Sequence, residues 1–386
     1  MRLCFIAIFI CLFHKSFTQE ISNKNTNLDN GLCSIAAKVN SNIKIGTNFN
    51  PKIFTIEIDK LKSLEIIRRE FNIVSISTNM PTIQKRQGIF TFDRTDELVN
   101  FASENKIGIW LQPLIADNKH TADWIVEGNY SAADLAIIMR NWIEKIINRY
   151  KDKIVYVNVV NEALLGLDNS GEFKWKTENN VWINMGWYQG KHHRFPQYLI
   201  EAFKIAREIG GPSIQYIYNQ WGNATMDSKM GDACYKLYFA LKEEGILLDG
   251  MGIQLHCALK KGKLFEQPGG ENQEFNFSSY GKLLNRYKEK NINLHITELD
   301  IALSENPSSE ELEKQGKYYA EVMKYSLLSS AVKTFKFWGI SDKYSWIRHS
   351  LPYQASPLLY DTNFNPKPAL LYLKSMLHNE LKVSKH

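Results

Sequence analysis

Short apolar runs rich in β-branched residues recur along the chain, and most are separated by longer segments whose apolar residues repeat every three or four positions. The short runs predict buried strands, and the longer segments predict amphipathic helices. The predicted strands are residues 43–48, 73–77, 107–112, 155–161, 214–218, 252–256, 294–298 and 334–338. The predicted helices are residues 61–70, 96–105, 134–150, 197–210 and 308–329.

Strands that alternate mostly with helices are typical of an α/β protein, and eight of them predict a single (β/α)8 TIM barrel. The chain of 386 residues is long enough for one such barrel, because these domains commonly exceed about 250 residues. No linker, repeat or shift in composition divides the sequence. We therefore expect one barrel domain over residues 20–386.

The first residues predict a leader for export. Met1 and Arg2 give a short positive start, and residues 3–13 form an apolar run too short to anchor the chain in a bilayer. Polar residues follow, so we predict a signal peptide at residues 1–19 and a secreted protein, either extracellular or periplasmic. No later stretch of the sequence is apolar enough to predict a membrane span.

Composition excludes several classes of partner. The net charge of +6 is spread without any long Lys/Arg block, which argues against nucleic-acid or membrane-surface partners. After the leader, Cys33, Cys234 and Cys257 lack C-x-x-C spacing, so we expect buried thiols, no metal site and no cofactor. We also expect a monomer.

Two predicted strands carry carboxylates that their apolar surroundings do not explain. In N-L-H-I-T-E-L-D-I, residues 293–301, Glu298 and Asp300 lie two positions apart and so on one face of the strand. A salt-bridged strand end would explain a lone acid. A second acid of the same kind, Glu162 beside Asn161 in V-V-N-E-A, favours catalysis. Glycoside hydrolysis needs such a pair of carboxyl groups, and barrel enzymes place their chemistry where strands end.

These two motifs resemble the acid/base and nucleophile motifs of glycoside hydrolase family 10, the family of retaining endo-β-1,4-xylanases. Residues 88–105, 250–256, 335–346 and 356–369 are similar to further family segments, so the resemblance covers nearly the whole chain after the leader. It implies a barrel in which Glu162 is the acid/base and Glu298 is the nucleophile.

The resemblance also implies roles for the neighbouring residues. His256 would hydrogen-bond Glu298 with Asp300 behind it, although a satisfied core histidine is the alternative. Asn161 would bind the 2-hydroxyl of the sugar at the cleavage point. The remaining substrate-binding residues implied by the resemblance are Gln112, Asn219, Gln254, Trp338 and Trp346.

The sequence departs from the family pattern upstream of the cleavage point. Family members usually carry T-P-E-N-x-M-K-W after strand two and H-T-L-V-W-H at strand three, but residues 75–82 read S-I-S-T-N-M-P-T and residues 112–117 read Q-P-L-I-A-D. Neither Gln112 nor Pro81 can supply a positive charge. We therefore expect this wall to hold its sugar hydroxyl more weakly, and activity on plain xylan to be weak.

The loop after the acid/base strand, residues 165–195, is rich in large aromatic residues that have two interpretations. They either cover the downstream sugar sites or pack the loop onto the barrel. The aromatic residues in question are Trp175, Trp182, Trp187 and Tyr188.

The leading functional hypothesis is a secreted retaining glycoside hydrolase, most economically an endo-1,4-β-xylanase that acts on a polysaccharide or oligosaccharide. A retaining β-glycosidase for a different or substituted β-glycan is the first alternative, because the upstream wall is changed. A non-catalytic carbohydrate-binding protein is the second, and the presence of both acids argues against it.

Overall fold

A computed structural model describes residues 31–266, 274–350 and 354–383. Eight parallel strands pair in chain order, and the eighth pairs with the first to close a barrel, so the predicted (β/α)8 fold is confirmed. The predicted signal peptide lies outside the described residues and stays a prediction. The barrel strands are β1 Lys44–Asn48, β2 Ile73–Ser77, β3 Gly108–Gln112, β4 Tyr156–Asn161, β5 Gln215–Trp221, β6 Gly250–Gln254, β7 Leu294–Ser304 and β8 Val332–Phe337.

Nine long helices among the described residues surround the barrel, and several begin where the sequence predicts. The helix at residues 197–210 has its predicted bounds, and Ser308 and Glu311 form a capping box at the start of the helix predicted over residues 308–329. The helices are α1 Leu32–Val39, α2 Glu57–Glu70, α3 Asp93–Glu104, α4 Ala132–Tyr150, α5 Gln197–Gly210, α6 Lys229–Glu243, α7 Phe277–Glu289, α8 Ser309–Leu328 and α9 Pro368–Val383.

The strand that carries Glu298 runs past the barrel rim, further than predicted. Beyond the rim, β7 pairs with the segment His256–Lys260, which turns back antiparallel through Lys263–Glu266. The pairing of β7 with β8 shifts register between Ile296 and Leu299. Because such a bulge re-aims side chains, Thr297 and Glu298 both project into the barrel although they are neighbours in sequence.

No described helix is long and apolar enough to cross a membrane. Within the same residues, no three His, Cys, Asp or Glu side chains converge as metal ligands would. Cys234 and Cys257 are buried free thiols, and Cys33 is a half-buried one.

A buried carboxylate fastens the first and last described helices to the barrel. Glu70, at the end of α2, is 1% exposed. It accepts hydrogen bonds from the Leu32 backbone N–H at 2.8 Å and from Lys374 Nζ at 3.0 Å. Arg69 Nε at 2.9 Å and the Tyr360 hydroxyl at 3.3 Å also contact this carboxylate. Leu32 belongs to α1 and Lys374 to α9, so one charge joins three helices.

Glu70→Ala should lower the free energy of unfolding by about 3–5 kcal/mol, because Lys374 would be left buried without its partner. Urea unfolding followed by circular dichroism measures the loss. The matched control is Glu65→Ala on the same helix, whose exposed carboxylate pairs with Arg69 at 3.4 Å and should contribute less than about 1 kcal/mol. Equal losses in the two variants would contradict this account of the cluster.

Candidate active site

The two candidate catalytic acids lie at the C-terminal side of the barrel. Glu162 directly follows β4 and is half-buried, whereas Glu298 lies within β7 and is 6% exposed. The backbone of Glu162 has φ +55°, in the left-handed region. A non-glycine residue pays about 1–3 kcal/mol for such a conformation, and strain of this kind clusters at functional sites. Its N–H donates to the Asn219 carbonyl at 3.0 Å, which holds the strained turn.

Buried donors hold both oxygens of Glu298. Asn219 Nδ2 donates to Oε1 at 2.8 Å, and His256 Nε2 lies 3.2 Å from Oε2. The other ring nitrogen of His256 lies 3.0 Å from Asp300 Oδ1, and Asp300 Oδ2 accepts from Trp346 Nε1 at 2.8 Å. The hydrogen bond that the sequence predicts between His256 and Glu298 is therefore present, with Asp300 behind it.

This arrangement makes His256 a cation. Burial by itself would lower the pKa of His256, but the charge and hydrogen bond of Asp300, together with those of Glu298, raise it to about 10. At neutral pH the ring is therefore protonated, and both of its nitrogens donate. One imidazolium thus compensates two buried carboxylates at once.

Side-chain amides join the two acids into one network. Glu162 Oε1 accepts from Asn161 Nδ2 and from Gln254 Nε2, both at 2.9 Å. Asn161 Oδ1 in turn accepts from Asn219 Nδ2 at 3.0 Å, and the same amide group donates to Glu298. Asn161, Asn219 and Gln254 therefore hold the carboxylates in place. Their predicted contacts with substrate stay predictions.

Two tryptophans line the space next to these acids. Trp346 packs edge-on against His256 with ring centroids 5.0 Å apart, and Trp338 lies 6.2 Å from the same ring. Both border a cavity of about 200 Å³ whose lining also includes Asn48, Ser77 and Gln112 at the ends of β1, β2 and β3. Gln112, which is 3% exposed, is part of the same wall. The structure thus brings all the predicted site residues to one end of the barrel.

The wall also holds a buried amine that the sequence analysis did not identify. Lys336, on β8, is fully buried, and its Nζ donates to Gln112 Oε1 at 3.2 Å. This amine comes from a different strand than the Lys and His of the family pattern. A signal was present in the sequence: Lys336 stands two positions before Trp338, so both side chains point to one side of the strand.

The aromatic residues of the loop after β4 are used mainly for packing. Trp182 is fully buried and donates to Thr121 Oγ1 at 3.0 Å, and Trp175 donates to the Arg194 carbonyl at 2.9 Å. Trp187 stacks against the Arg194 guanidinium, 4.5 Å from the ring centroid. The Tyr188 hydroxyl donates to a surface carboxylate at 3.1 Å. Of the two interpretations, packing onto the barrel describes these side chains.

Comparisons with known proteins agree with this geometry. The sequence model described as glycosyl hydrolase family 10 matches residues 34–376. Endo-1,4-beta-xylanase B of Thermotoga neapolitana is 26% identical over 345 residues, covering 88% of this chain and 90% of the relative. Xylanase 10B from Thermotoga petrophila RKU-1, solved in complex with xylobiose, has a TM-score of 0.77 at 26% identity and covers 91% of this chain and 98% of its own.

The native xylanase 10B from Thermotoga maritima is similar to the same extent, with a TM-score of 0.77 at 27% identity over 92% of this chain and 99% of that one. The family model spans most of the chain, and the barrel carries the two acids at the expected strand ends. The protein therefore belongs to glycosyl hydrolase family 10 and is a retaining glycosidase.

Proposed function

We propose that the protein is an endo-1,4-β-xylanase that acts on xylan or xylo-oligosaccharides by double displacement. Glu298 attacks the anomeric carbon while Glu162 protonates the departing glycosidic oxygen, which leaves a covalent glycosyl-enzyme. Glu162 then removes a proton from water, and the water displaces Glu298 with the original anomeric configuration. The names of the relatives support this substrate, since those cited above are xylanases and one was solved with xylobiose.

The observation that carries the proposal is the set of donors around Glu298. A nucleophilic carboxylate must stay ionised and must be held still, and both needs are met by the Asn219 amide and the His256 cation. Glu162 is bonded differently, because only neutral amides donate to it. Within the described residues no Lys, Arg or His lies within 4.0 Å of its carboxylate. This difference suits one group that remains an anion and one that exchanges a proton.

Export is part of this proposal and rests on the predicted leader at residues 1–19. N-terminal sequencing of the mature protein tests it. A mature chain that still begins with Met1 would contradict cleavage of the leader.

A second candidate is a retaining β-glycosidase for a different or substituted β-glycan. It is favoured by the changed segments at residues 75–82 and 112–117 and by the cavity next to Trp338 and Trp346, which is also lined by Asn48, Asn50 and His120. Reducing-sugar release from a panel of linear xylan, decorated xylan and other β-glycans separates the two candidates. The xylanase proposal requires that reducing sugar is released fastest from the xylans in this panel. Faster release from a glycan with a different main chain would favour the second candidate.

A 2-fluoro xylobioside with a good leaving group should label Glu298 and stop turnover, because the electron-poor sugar slows breakdown of the glycosyl-enzyme. Peptide mass spectrometry locates the label. Glu298→Gln is the matched control, since it keeps the shape of the side chain and should take up no label. A label on Glu162, or products of inverted configuration by NMR, would overturn the assignment of roles.

Asp300→Asn should lower the pKa of His256 by about 1–3 units, because it removes the first of the two negative charges that support the imidazolium. Since the pKa is raised in the wild type, the ring keeps its proton until the pH approaches about 10. In the variant, the ring should lose its proton, and with it the donation to Glu298, at a lower pH than in the wild type.

Histidine ¹⁵N NMR measures the pKa change in the Asp300→Asn variant directly. The control is Asp117→Asn, because Asp117 Oδ1 lies 2.9 Å from His120 Nδ1 and touches a different histidine. It should leave the His256 resonances unchanged. An unchanged titration of His256 in the Asp300→Asn variant would contradict this electrostatic account.

A further inference from the structure

One of the buried titratable groups among the described residues to which the mechanism above gives no role is a lysine inside the barrel. Lys336 is fully buried inside the barrel, and no carboxylate oxygen of the described residues lies within 4.0 Å of its Nζ. Its contacts are instead the Ser75 hydroxyl at 2.6 Å, Gln112 Oε1 at 3.2 Å and the face of Trp110, 3.5 Å from the ring centroid. Burial lowers the pKa of Lys336, and the negative charge of Glu298 opposes this shift. A buried amine costs stability unless its surroundings use it.

The contacts of Lys336 determine how the neighbouring amide is turned. The amine of Lys336 donates to the carbonyl oxygen of the Gln112 amide, and that amide has its N–H₂ group at the other corner. The oxygen of Gln112 therefore faces Lys336, and the N–H₂ group faces away from it. Ser75 and Gln112 lie on the adjacent strands β2 and β3, so both contacts come from the rigid barrel wall.

The N–H₂ group of the Gln112 side chain is the part of this amide that can reach the cavity. Gln112 lines the cavity, and its Nε2 donates to none of the described residues. Asn79 lines the same cavity, and its Oδ1 is buried without a hydrogen-bond partner in the described part of the chain. This wall therefore offers the Gln112 N–H₂ group as a donor, with a buried amide oxygen in a second lining residue. A sugar hydroxyl in the cavity can accept a hydrogen bond from this N–H₂ group.

We propose that Lys336 is a specificity-determining positioning residue. It fixes the Gln112 amide with Nε2 toward the cavity, so that Gln112 donates a hydrogen bond to a hydroxyl of the sugar on the non-reducing side of the cleavage point. The proposal rests on the proposed glycosidase site and deepens it. It assigns to a strand-eight amine, acting through an amide, the hydroxyl recognition for which residues 75–82 and 112–117 lack the Lys and His of the family pattern.

A cycle between enzyme and substrate variants tests the coupling. The enzymes are wild type, Lys336→Met and Gln112→Glu, and the substrates are an aryl β-xylobioside and analogues that each lack one hydroxyl of the sugar at the cleavage point. In the wild type, deletion of the recognised hydroxyl should reduce kcat/KM about tenfold, which corresponds to about 1.4 kcal/mol. Lys336→Met and Gln112→Glu should lose a similar factor on the intact substrate and become insensitive to that deletion.

The two variants break the same hydrogen bond in different ways. Methionine cannot orient the amide, and glutamate would pair with Lys336 while offering no donor to the sugar when ionised. The matched control is Lys333→Met on the same strand, whose half-buried side chain donates to the Ser330 carbonyl at 2.9 Å. It should keep both the rate and the sensitivity of the wild type. Unchanged sensitivity to every deletion in Lys336→Met and Gln112→Glu would overturn the proposal, as would an equal loss in Lys333→Met.

Neutron diffraction of the free wild-type protein gives a readout independent of turnover and of the folding of any variant. Deuterons on Gln112 should be found on the amide corner that faces the cavity. An amide turned with its oxygen toward the cavity would overturn the proposal, whatever substrate the enzyme prefers. Failure of the wild type to cleave any xyloside would instead count against the proposed function, so the two failures are distinguishable.

Discussion

The site depends on one physical constraint, the burial of a negative charge at Glu298 inside a closed barrel. An ion of this kind is expensive to desolvate unless fixed donors replace the lost water. Asn219 and His256 provide those donors, and Asp300 in turn balances the charge of His256. The bulge in β7 matters for the same reason, because it turns Glu298 inward to meet donors that stand on other strands.

The same constraint explains why the polar residues of the site are so closely interlinked. Thr297 donates to Asn219 Oδ1 at 2.7 Å, which leaves the Asn219 N–H₂ group free to bond Glu298 and Asn161 together. The Asn219 amide is thus turned by Glu298, whose carboxylate oxygens accept its N–H₂ group, while Thr297 donates to its oxygen. A preorganised arrangement of this kind stabilises charge without having to reorient during the reaction. The orientation of Gln112 by Lys336 follows the same logic.

The sequence predicts the parts of the structure that depend on local patterns. Strand β2 and helix α5 have their predicted bounds, because apolar runs and a Gly-Gly-Pro stop define them within a few residues. Helix α6 was not predicted, since its buried face contains small residues such as Gly231 and Ala233 and so lacks a strong apolar period. The two acids could be identified from the sequence because a carboxylate buried in an apolar strand costs free energy unless it is paired or functional.

Side-chain contacts between strands that are far apart in sequence could not be predicted from short sequence patterns. Lys336 lies 261 positions from Ser75 and 224 from Gln112, so no short motif links them. The comparison with the family pattern considers one sequence position at a time, so it showed only that Gln112 and Pro81 cannot supply a positive charge. The barrel instead allows a side chain from the opposite end of the chain to enter the same space, since β8 closes against β1 next to β2. Because the barrel is closed, the contacts among its inward-facing side chains are harder to predict from the sequence than the strands themselves are.

The shared carboxylate of Glu70 has a consequence for how the barrel opens. Glu70 ends the helix that leads into the start of β2, so the cluster lies at the face of the barrel opposite the cleft. Neither α1 nor α9 can detach alone without leaving a buried charge or backbone group unpaired. The two helices are therefore coupled, and fraying at either end of the described chain is penalised by the other. Glu70 therefore couples the first and last described helices, which favours cooperative unfolding over stepwise unfolding from either end.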